Sequence, residues 1–215
     1  MGKVTDSLIS GSSGRTGRVV VANVNGIEIL KIRPKKSSKP SSDKQNLIKD
    51  RFNKSIFFME SYKEYAKQFF GTKKGLASRY NQAAGVVLKA LECDMDNYTI
   101  TPNYAKIQFS KGIGLRPQPT AISSPQALKI QIDWEDNSLG GPSQDDQLVV
   151  LVAEDQNLEA ETLFYYTQTT RREQTHQITL LPRYQNKEMH LWIAFVDTNE
   201  MYASNSIYIG SIRLT

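Results

Sequence analysis

The stretch LKIQIDW at residues 128–134 has the clearest β-strand pattern in the chain. Apolar Leu128, Ile130, Ile132 and Trp134 alternate in it with polar residues. Successive side chains of a strand point to opposite faces, so this alternation predicts one buried face and one face in contact with water. Trp134 is therefore expected to be a core residue of a sheet rather than part of a ligand platform.

Six more short runs with β-strand character follow Pro102, where the sequence period changes from 3.6 to 2. They span residues 105–110, 148–153, 162–167, 175–180, 189–196 and 207–214. Turn-rich loops separate the runs, and no helical pattern lies between them. Seven such strands are typical of an antiparallel β-sandwich of the immunoglobulin-like or fibronectin-like type.

The middle of the chain carries helical signals instead. Ser42 and Gln45 have the spacing of a capping box, which predicts a helix beginning near Asp43. A helix of about seven turns, ending at Gly71, is predicted by apolar residues at spacings of three and four. This first stripe consists of Ile48, Phe52, Ile56, Met59, Tyr62, Ala66 and Phe69. A second helix, packed antiparallel to the first, is predicted by Leu76, Tyr80, Ala83, Ala84, Val87 and Leu91.

The N-terminal part combines a glycine-rich start with a hairpin signal. Residues 19–21 and 27–32 are β-forming runs on either side of Asn25-Gly26. Asn-Gly favours a tight hairpin turn because both residues tolerate positive φ. We therefore predict an N-terminal β-hairpin.

Together these patterns predict an α+β fold with an N-terminal β-hairpin and an antiparallel helical pair, followed by an antiparallel sandwich. At 215 residues the chain has the length of one large domain or two small ones. We predict a basic hairpin-plus-helices domain at 1–110, a Pro-containing extended linker at 111–127 and a β-sandwich domain at 128–215.

Charge is divided unequally along the chain. Residues 1–116 contain 21 Lys and Arg against 9 Asp and Glu, whereas residues 117–215 contain 6 against 13, so the two parts carry +12 and −7. This asymmetry indicates either an acidic or nucleic-acid partner for the first part or attraction between the two parts.

The basic segment at residues 31–54 has nine positive side chains against two aspartates. Pro34 and Pro40 bias its first part towards an extended chain, which can follow a phosphate backbone. The candidate nucleic-acid-binding residues are Lys31, Arg33, Lys35, Lys36, Lys39, Lys44, Lys49 and Arg51. A solvated arm, or a strip that docks on an acidic protein, is the alternative interpretation.

Short motifs spread over nearly the whole chain carry a resemblance to a known family. They are Met1-Gly2-Lys3, the spacing of Gly11, Gly14, Gly17 and Val19, Asn25-Gly26-Ile27, Arg33-Pro34-Lys35-Lys36, Trp134-Glu135-Asp136-Asn137-Ser138, Ala194-Phe195 and Asn205-Ser206-Ile207-Tyr208-Ile209-Gly210. With these motifs the chain resembles an uncharacterised family, known as a domain of unknown function and met mainly in Bacteroidetes and their mobile elements. It departs from that family at Val24, where members often have tryptophan. The resemblance implies the same architecture and implies no activity.

Two stretches come close to ligand-binding motifs but lack required residues. Residues 11–18 are glycine-rich, but Arg18 follows the last glycine, and a phosphate-binding loop needs Lys and then Ser or Thr there. An EF-hand loop beginning at Asp133 would need glycine and glutamate at the positions of Ser138 and Gln144. We interpret the first stretch as an entry to the hairpin and the second as a solvated turn, with an irregular calcium site as the alternative.

Catalytic and metal-binding patterns are absent from the sequence. His176, His190 and Cys93 are its only histidines and cysteine, and none has a second ligand at the spacing of a zinc site. A nucleophile elbow with the pattern Gly-x-Ser-x-Gly does not occur. We therefore expect no catalytic residues, no metal and no cofactor, and predict that the protein is not an enzyme.

A composition of 39% hydrophobic and 23% charged residues is that of a globular protein. The absence of a secretory apolar run and the single cysteine lead us to expect a cytoplasmic protein. The first functional hypothesis is a non-enzymatic binding or assembly module that contacts a protein partner or a second copy of itself, with no membrane and no small-molecule substrate. The alternatives are a sequence-non-specific nucleic-acid-binding protein and a small hydrolase with an unrecognised site.

Overall fold

The computed structural model describes residues 2–5, 9–24, 26–35 and 38–214. Its α+β fold, with helices beside an antiparallel sandwich, confirms the predicted fold class. None of the helices in the described ranges has both the length and the apolar composition needed to cross a lipid bilayer.

The chain begins with a four-stranded antiparallel sheet, called here the N-terminal sheet. Its strands are β1 (Gly2–Lys3), β2 (Gly14–Thr16), β3 (Val19–Val24) and β4 (Ile27–Ile32), in the order β1-β4-β3-β2. The predicted hairpin is β3–β4. Gly26 in its turn has φ +83°, the left-handed conformation that glycine adopts without strain. Asn25 lies outside the described residues.

Three helices follow, α1 (Asp43–Phe58), α2 (Lys63–Phe69) and α3 (Arg79–Ala90). The predicted capping box is present: Ser42 Oγ accepts from the Gln45 amide at 3.4 Å, and Gln45 Oε1 accepts from the Ser42 amide at 3.2 Å. Ser78 caps α3 in the same way, accepting from the Asn81 amide at 3.1 Å. These side chains satisfy amides that a helix start leaves free.

The first predicted helix is not continuous. A short 3-10 turn, Glu60–Tyr62, separates α1 from α2. Thr162, from the sandwich, donates a hydrogen bond of 2.9 Å to the carbonyl of Phe58. In an unbroken helix that carbonyl would accept from the amide of Tyr62, which bonds to Met59 instead.

Part of the predicted stripe is wrong, because α1 buries a different set of residues from the one predicted. Ile48 and Phe52 are 43% and 52% exposed, and the buried face of α1 contains Leu47, Ser55 and Phe58. From Met59 onwards the stripe is buried as predicted, with Tyr62, Ala66 and Phe69 in the core.

After α3 a short hairpin of β5 (Leu91–Asp94) and β6 (Thr99–Pro102) leads into the sandwich. The sandwich strands are β7 (Pro119–Ser123), β8 (Lys129–Trp134), β9 (Gln147–Glu154), β10 (Leu163–Thr170), β11 (Thr175–Thr179), β12 (Glu188–Val196) and β13 (Ile207–Arg213). They form a three-stranded sheet, β11-β8-β7, and a four-stranded sheet, β10-β9-β12-β13, with antiparallel pairing throughout. This is the arrangement of an immunoglobulin-like or fibronectin-like sandwich.

Two details differ from the predicted strands. Residues 105–110 are not a strand: a 3-10 turn, Tyr104–Lys106, leads into a segment that buries Ile107 and Phe109. The seventh strand is β7, inside the stretch 111–127 predicted as a linker, and it pairs with β8. The division of the chain into domains at 1–110 and 128–215 stays a prediction.

The central strands of the four-stranded sheet, β9 and β12, are buried on both faces, which makes the body three layers thick. Leu148 and Val150 of β9 pack towards the three-stranded sheet, where Trp134 is buried. Val149 and Leu151 alternate with them and pack against the helices, with Tyr62 among their neighbours in the core. The helical layer and the sandwich therefore share one apolar core, and this contact positions the loops of both layers beside each other.

Candidate functional site

A cleft of about 420 Å³ lies where the α2–α3 loop, the segment after residue 110 and the β12–β13 loop meet. We call it the seam cleft. The residues that give it its chemical character are Lys74, Arg79, Lys111, Ile113, Met201 and Tyr202.

Backbone hydrogen bonds hold the walls of the seam cleft together. The Gly71 amide donates to the Lys111 carbonyl at 2.6 Å, and the Lys111 amide donates to the Phe69 carbonyl at 3.0 Å. On the opposite side, the Gly114 amide donates to the Ala203 carbonyl at 3.0 Å. The cleft is therefore formed by three bonded chain segments rather than by a single loop.

Glycine is required at this junction because the backbones approach very closely. A Cβ atom at Gly112 would lie 2.0 Å from the Ala203 carbonyl oxygen, and one at Gly114 would lie 2.9 Å from the Ala203 carbonyl carbon. No Cβ atom is accommodated at such a distance without movement of the backbone. The sequence Lys-Gly-Ile-Gly at 111–114 thus lets the chain touch the β12–β13 loop and leaves Ile113 on the outside.

Two large apolar side chains stand exposed at the rim. Ile113 is 91% and Met201 79% exposed. Ile113 lies between Gly112 and Gly114, which contact the Ala203 backbone, and Met201 follows Glu200, whose carbonyl accepts from Gln68 Nε2 at 3.3 Å. Both line the same cleft, which makes this rim a candidate surface for contact with another molecule.

The lining of the seam cleft carries positive charge and includes no Asp, Glu, His or Cys. Arg79 donates to the carbonyl of Gln68 and so joins α3 to the end of α2, whereas Gln82 Nε2 donates to the carbonyl of Thr72 in the α2–α3 loop at 2.7 Å. Lys74 and Lys111 are exposed and form no ion pair with any residue that the structure describes.

The structure separates the residues predicted to bind nucleic acid into two groups. Lys31, Arg33, Lys35 and Lys39 are exposed on β4 and the chain after it, and Lys36 lies outside the described residues. Their proposed role stays a prediction.

The second group lies on α1 and includes Lys44, which is exposed. Lys49 donates to the hydroxyl of Ser41, and Arg51 Nε donates to the carbonyl of Leu88 at 2.9 Å. Arg51 therefore satisfies a carbonyl in the last turn of α3, and the binding role predicted for this group stays a prediction.

The acidic stretch after β8 is organised around a cation that the sequence did not single out. Arg171 is fully buried, donates to Asn137 Oδ1 at 2.9 Å and to the Leu115 carbonyl at 2.8 Å, and lies 3.5 Å from Asp146 Oδ2. Its guanidinium stacks over the ring of Phe195 at 3.9 Å. Among the described residues no group of three or more His, Cys, Asp and Glu side chains has the arrangement of a metal site.

Burial is the main cause of the pKa shifts in this pair. It raises the pKa of Asp146 and lowers the pKa of Arg171, and in each case the partner's charge acts in the opposite direction. The pair therefore resembles a structural clamp between loops, whose two charges are held in a site with little solvent.

His190 lies in a polar cluster that joins both layers. Its Nε2 is 3.0 Å from Asp155 Oδ1, its Nδ1 is 2.8 Å from Tyr208 Oη, and its ring stacks on Tyr104 at 3.6 Å. Both imidazole nitrogens have partners and the residue is buried, so the cluster braces the sheet against the turn before residue 107. Histidine was noted in the sequence, but its three partners are 18 to 86 residues away and gave no local signal.

His176 provides a pH-dependent contribution to stability. Burial lowers the pKa of His176 from 6.5, with a smaller opposing effect of Glu173, and its Nδ1 is 2.7 Å from Thr169 Oγ1. Because the folded-state pKa is depressed, the stabilisation is present above the unfolded-state value and is lost as the pH falls.

We therefore expect the free energy of unfolding to decrease as the pH falls below about 6.5, and to decrease less in the variant His176→Gln. Urea denaturation at a series of pH values measures this slope, and the comparison with His176→Gln cancels the contributions of the carboxylates, which both proteins share. Equal slopes for both proteins would contradict the assignment.

The fold and the seam cleft together define a three-layer α+β protein whose sandwich is immunoglobulin-like or fibronectin-like. Residues 11–210 match the profile of DUF6266, a family of unknown function, and the chain belongs to this family. No curated protein shows significant similarity to the chain.

Solved structures show low similarity to the chain. The fn3 domain of human contactin 1 is 13% identical, with 49% of this chain and 82% of that chain covered and a TM-score of 0.35. The extracellular domains d3–d4 of rat CD45 are 12% identical, with 95% and 99% covered and a TM-score of 0.31. At such TM-scores the comparison adds nothing to the strand topology described above.

Proposed function

We propose that the protein is a non-enzymatic binding module whose seam cleft holds an extended segment of a partner protein. The observation that carries this proposal is the pair of exposed apolar side chains, Ile113 and Met201, fixed beside the unpaired cations Lys74 and Lys111.

The chemistry of the cleft defines the segment it would hold. Desolvation of Ile113 and Met201 by a partner's apolar side chain is favourable by about 25 cal/mol per Å² of apolar surface buried. Lys74 and Lys111 attract a carboxylate, since no acid in the lining neutralises them. The expected segment therefore combines at least one apolar residue with a neighbouring Asp or Glu.

The walls of the seam cleft are already formed in the free protein, which supports a binding role. The bonds of Gly71, Lys111 and Gly114 fix the walls before a partner arrives, so association would restrict the backbone little further. The lining also includes no His, Cys, Asp or Glu of the kind that supplies a general base. A binding role does not require a general base.

Selection of random twelve-residue peptides displayed on phage against the purified protein tests the proposal. Enriched peptides are expected to contain Asp or Glu next to an apolar residue. Replacing Ile113 and Met201 by serine is expected to weaken the binding of a synthetic enriched peptide by about tenfold or more, as for residues at the centre of an interface. Fluorescence anisotropy of the labelled peptide gives the dissociation constants.

The matched control replaces Leu139 and Leu181, which are 98% and 58% exposed outside the cleft, by serine. It removes similar apolar surface and is expected to leave peptide binding unchanged. Equal losses in both variants, or no enrichment of acidic and apolar peptides, would refute the proposal. Concentration-dependent dimerisation that only the Ile113 and Met201 variant abolishes would show that a second copy occupies the cleft instead.

A further inference from the structure

The N-terminal sheet and the chain that leaves it carry almost one sign of charge. In the described residues between 2 and 42 the only acid is Glu28. The cations in the same part of the chain are Lys3, Arg15, Arg18, Lys31, Arg33, Lys35 and Lys39. Such a concentration raises the local positive potential and attracts a polyanion.

Strand register places two of these cations, Arg15 and Lys31, on one face of the sheet. Arg15 is paired with Val20, and Val20 with Lys31, so the two cations stand on the same face of β2-β3-β4. Glu28 is paired with Asn23 and faces the opposite side, where its Oε1 accepts from the Gly11 amide at 2.8 Å. Glu28, the only acid among the described residues between 2 and 42, is thus turned away from Arg15 and Lys31.

The end of the sheet next to β4 forms a cationic cleft. The Arg33 amide donates to the Arg18 carbonyl at 2.8 Å, which brings the β2–β3 turn against the chain that follows β4. The cleft is lined by Arg15, Gly17, Arg18, Arg33, Pro34 and Lys35. The four cations are exposed, and none forms an ion pair within the part of the chain that the structure describes.

We propose that this cationic end binds the sugar-phosphate backbone of double-stranded nucleic acid without sequence preference. Lys31, Arg33 and Lys35 recur at every second residue, and Pro34 biases this chain towards the extended form. Their spacing is then about 6.6 Å along the chain. That is twice the axial rise of about 3.4 Å per phosphate on each strand of a duplex.

The same part of the chain contains no features for recognising bases. Residues 1–42 include no Phe, Tyr or Trp, whereas proteins that bind single strands stack the bases on aromatic side chains. Phosphate contacts position a protein on a duplex but do not specify a sequence. We therefore expect the protein to bind a duplex more tightly than a single strand. We also expect it to contact the phosphate charges rather than particular bases.

The test measures anisotropy of a fluorescein-labelled duplex of about 20 base pairs, long enough for several phosphate contacts, against the full chain over a series of salt concentrations. One variant removes the four cations of the cleft, with the substitutions Arg15→Gln, Arg18→Gln, Arg33→Gln and Lys35→Gln. Binding at about 50 mM salt is expected to weaken by about tenfold or more. The slope of log K against log salt is expected to fall by about 3 to 4, because each phosphate that the protein neutralises adds about 0.9 to it.

The control variant removes the same number of positive charges from the helical layer. Its substitutions are Lys63→Gln, Lys67→Gln, Lys89→Gln and Lys106→Gln. It should retain the wild-type slope, because these residues are not part of the N-terminal sheet. Equal losses in the two variants would overturn the proposal in favour of a net-charge effect.

Other polyanions distinguish the remaining outcomes. Tighter binding of a single strand than of the duplex would overturn the choice of a duplex. Binding of phosphatidylserine vesicles or polyglutamate, without binding of the duplex, would identify a membrane or an acidic protein as the ligand and overturn the proposal. The N-terminal sheet and the seam cleft share no residues, so either result leaves the proposed function to be tested on its own.

Discussion

Replacing Arg171 by methionine is expected to lower the free energy of unfolding by about 3–5 kcal/mol, the range observed when one partner of a buried ion pair is removed. Methionine keeps most of the aliphatic volume over Phe195 but offers no donor. The carbonyls of Leu115 and Ser143, at 2.8 and 3.1 Å from the guanidinium nitrogens, would lose their partner. Asp146 would be left as a buried acid without a cation.

The control for this prediction is the neighbouring residue. Arg172 pairs with Asp145 at 3.3 Å, and their side chains are 60% and 44% exposed. Exposed ion pairs contribute about 0–1 kcal/mol to stability. The variant Arg172→Met is therefore expected to have nearly the same free energy of unfolding as the wild-type protein. Urea denaturation followed by tryptophan fluorescence compares the variants, since Trp134 donates its indole N–H to the Arg171 carbonyl at 2.7 Å. Similar denaturation midpoints for the two variants would show that Arg171 is not a clamp.

The strands that expose one face to solvent were predictable from the alternation of apolar and polar residues alone. Of the predicted run 128–134, residues 129–134 form β8, with Ile130, Ile132 and Trp134 buried, and Leu128 lies just before the strand with φ +61°. The caps at Ser42 and Ser78 are local as well, because a helix start depends on a few consecutive residues. Patterns within ten residues were therefore sufficient for most of the elements.

The three-layer arrangement depends on contacts between distant segments, and only part of it had a sequence signal. The uninterrupted apolar runs at 148–153 and 191–196 mark strands buried on both faces. That signal indicates a second covering layer, which α2, α3 and the segment around Phe109 provide. The break of the first helix had no such signal, because it is stabilised by Thr162, about a hundred residues away.

The candidate sites illustrate the same distinction. The basic segment at 31–54 was visible as composition, but the convergence of Arg15 and Arg18 with Arg33 depends on strand pairing. The seam cleft was not predicted, although Lys-Gly-Ile-Gly at 111–114 has a feature that points to it. Two glycines around an apolar residue in a segment without a turn pattern indicate close approach of another backbone.

Replacing Gly112 by alanine is expected to destabilise the protein by about 1–3 kcal/mol or more, the usual cost of inserting a methyl group into a packed site. The new Cβ atom would lie 2.0 Å from the Ala203 carbonyl oxygen, so the backbone of the seam must move. The control is Gly85→Ala in α3, where a Cβ atom meets nothing within 4 Å. That change is expected to stabilise by about 0.5–1 kcal/mol, because alanine favours a helix more than glycine does. Thermal denaturation of both variants shows whether each substitution lowers or raises the stability of the protein.

A second substitution separates a backbone clash from ordinary overpacking. If Gly112→Ala strained the protein through the side chain of Ala203, then adding Ala203→Gly would restore stability. The atom that the new methyl group meets is the carbonyl oxygen, which Ala203→Gly leaves in place, so the double variant is expected to be at least as unstable as Gly112→Ala. Full rescue would show that the seam adapts to its side chains, and the seam cleft would then lack the rigid walls on which the proposed binding function depends.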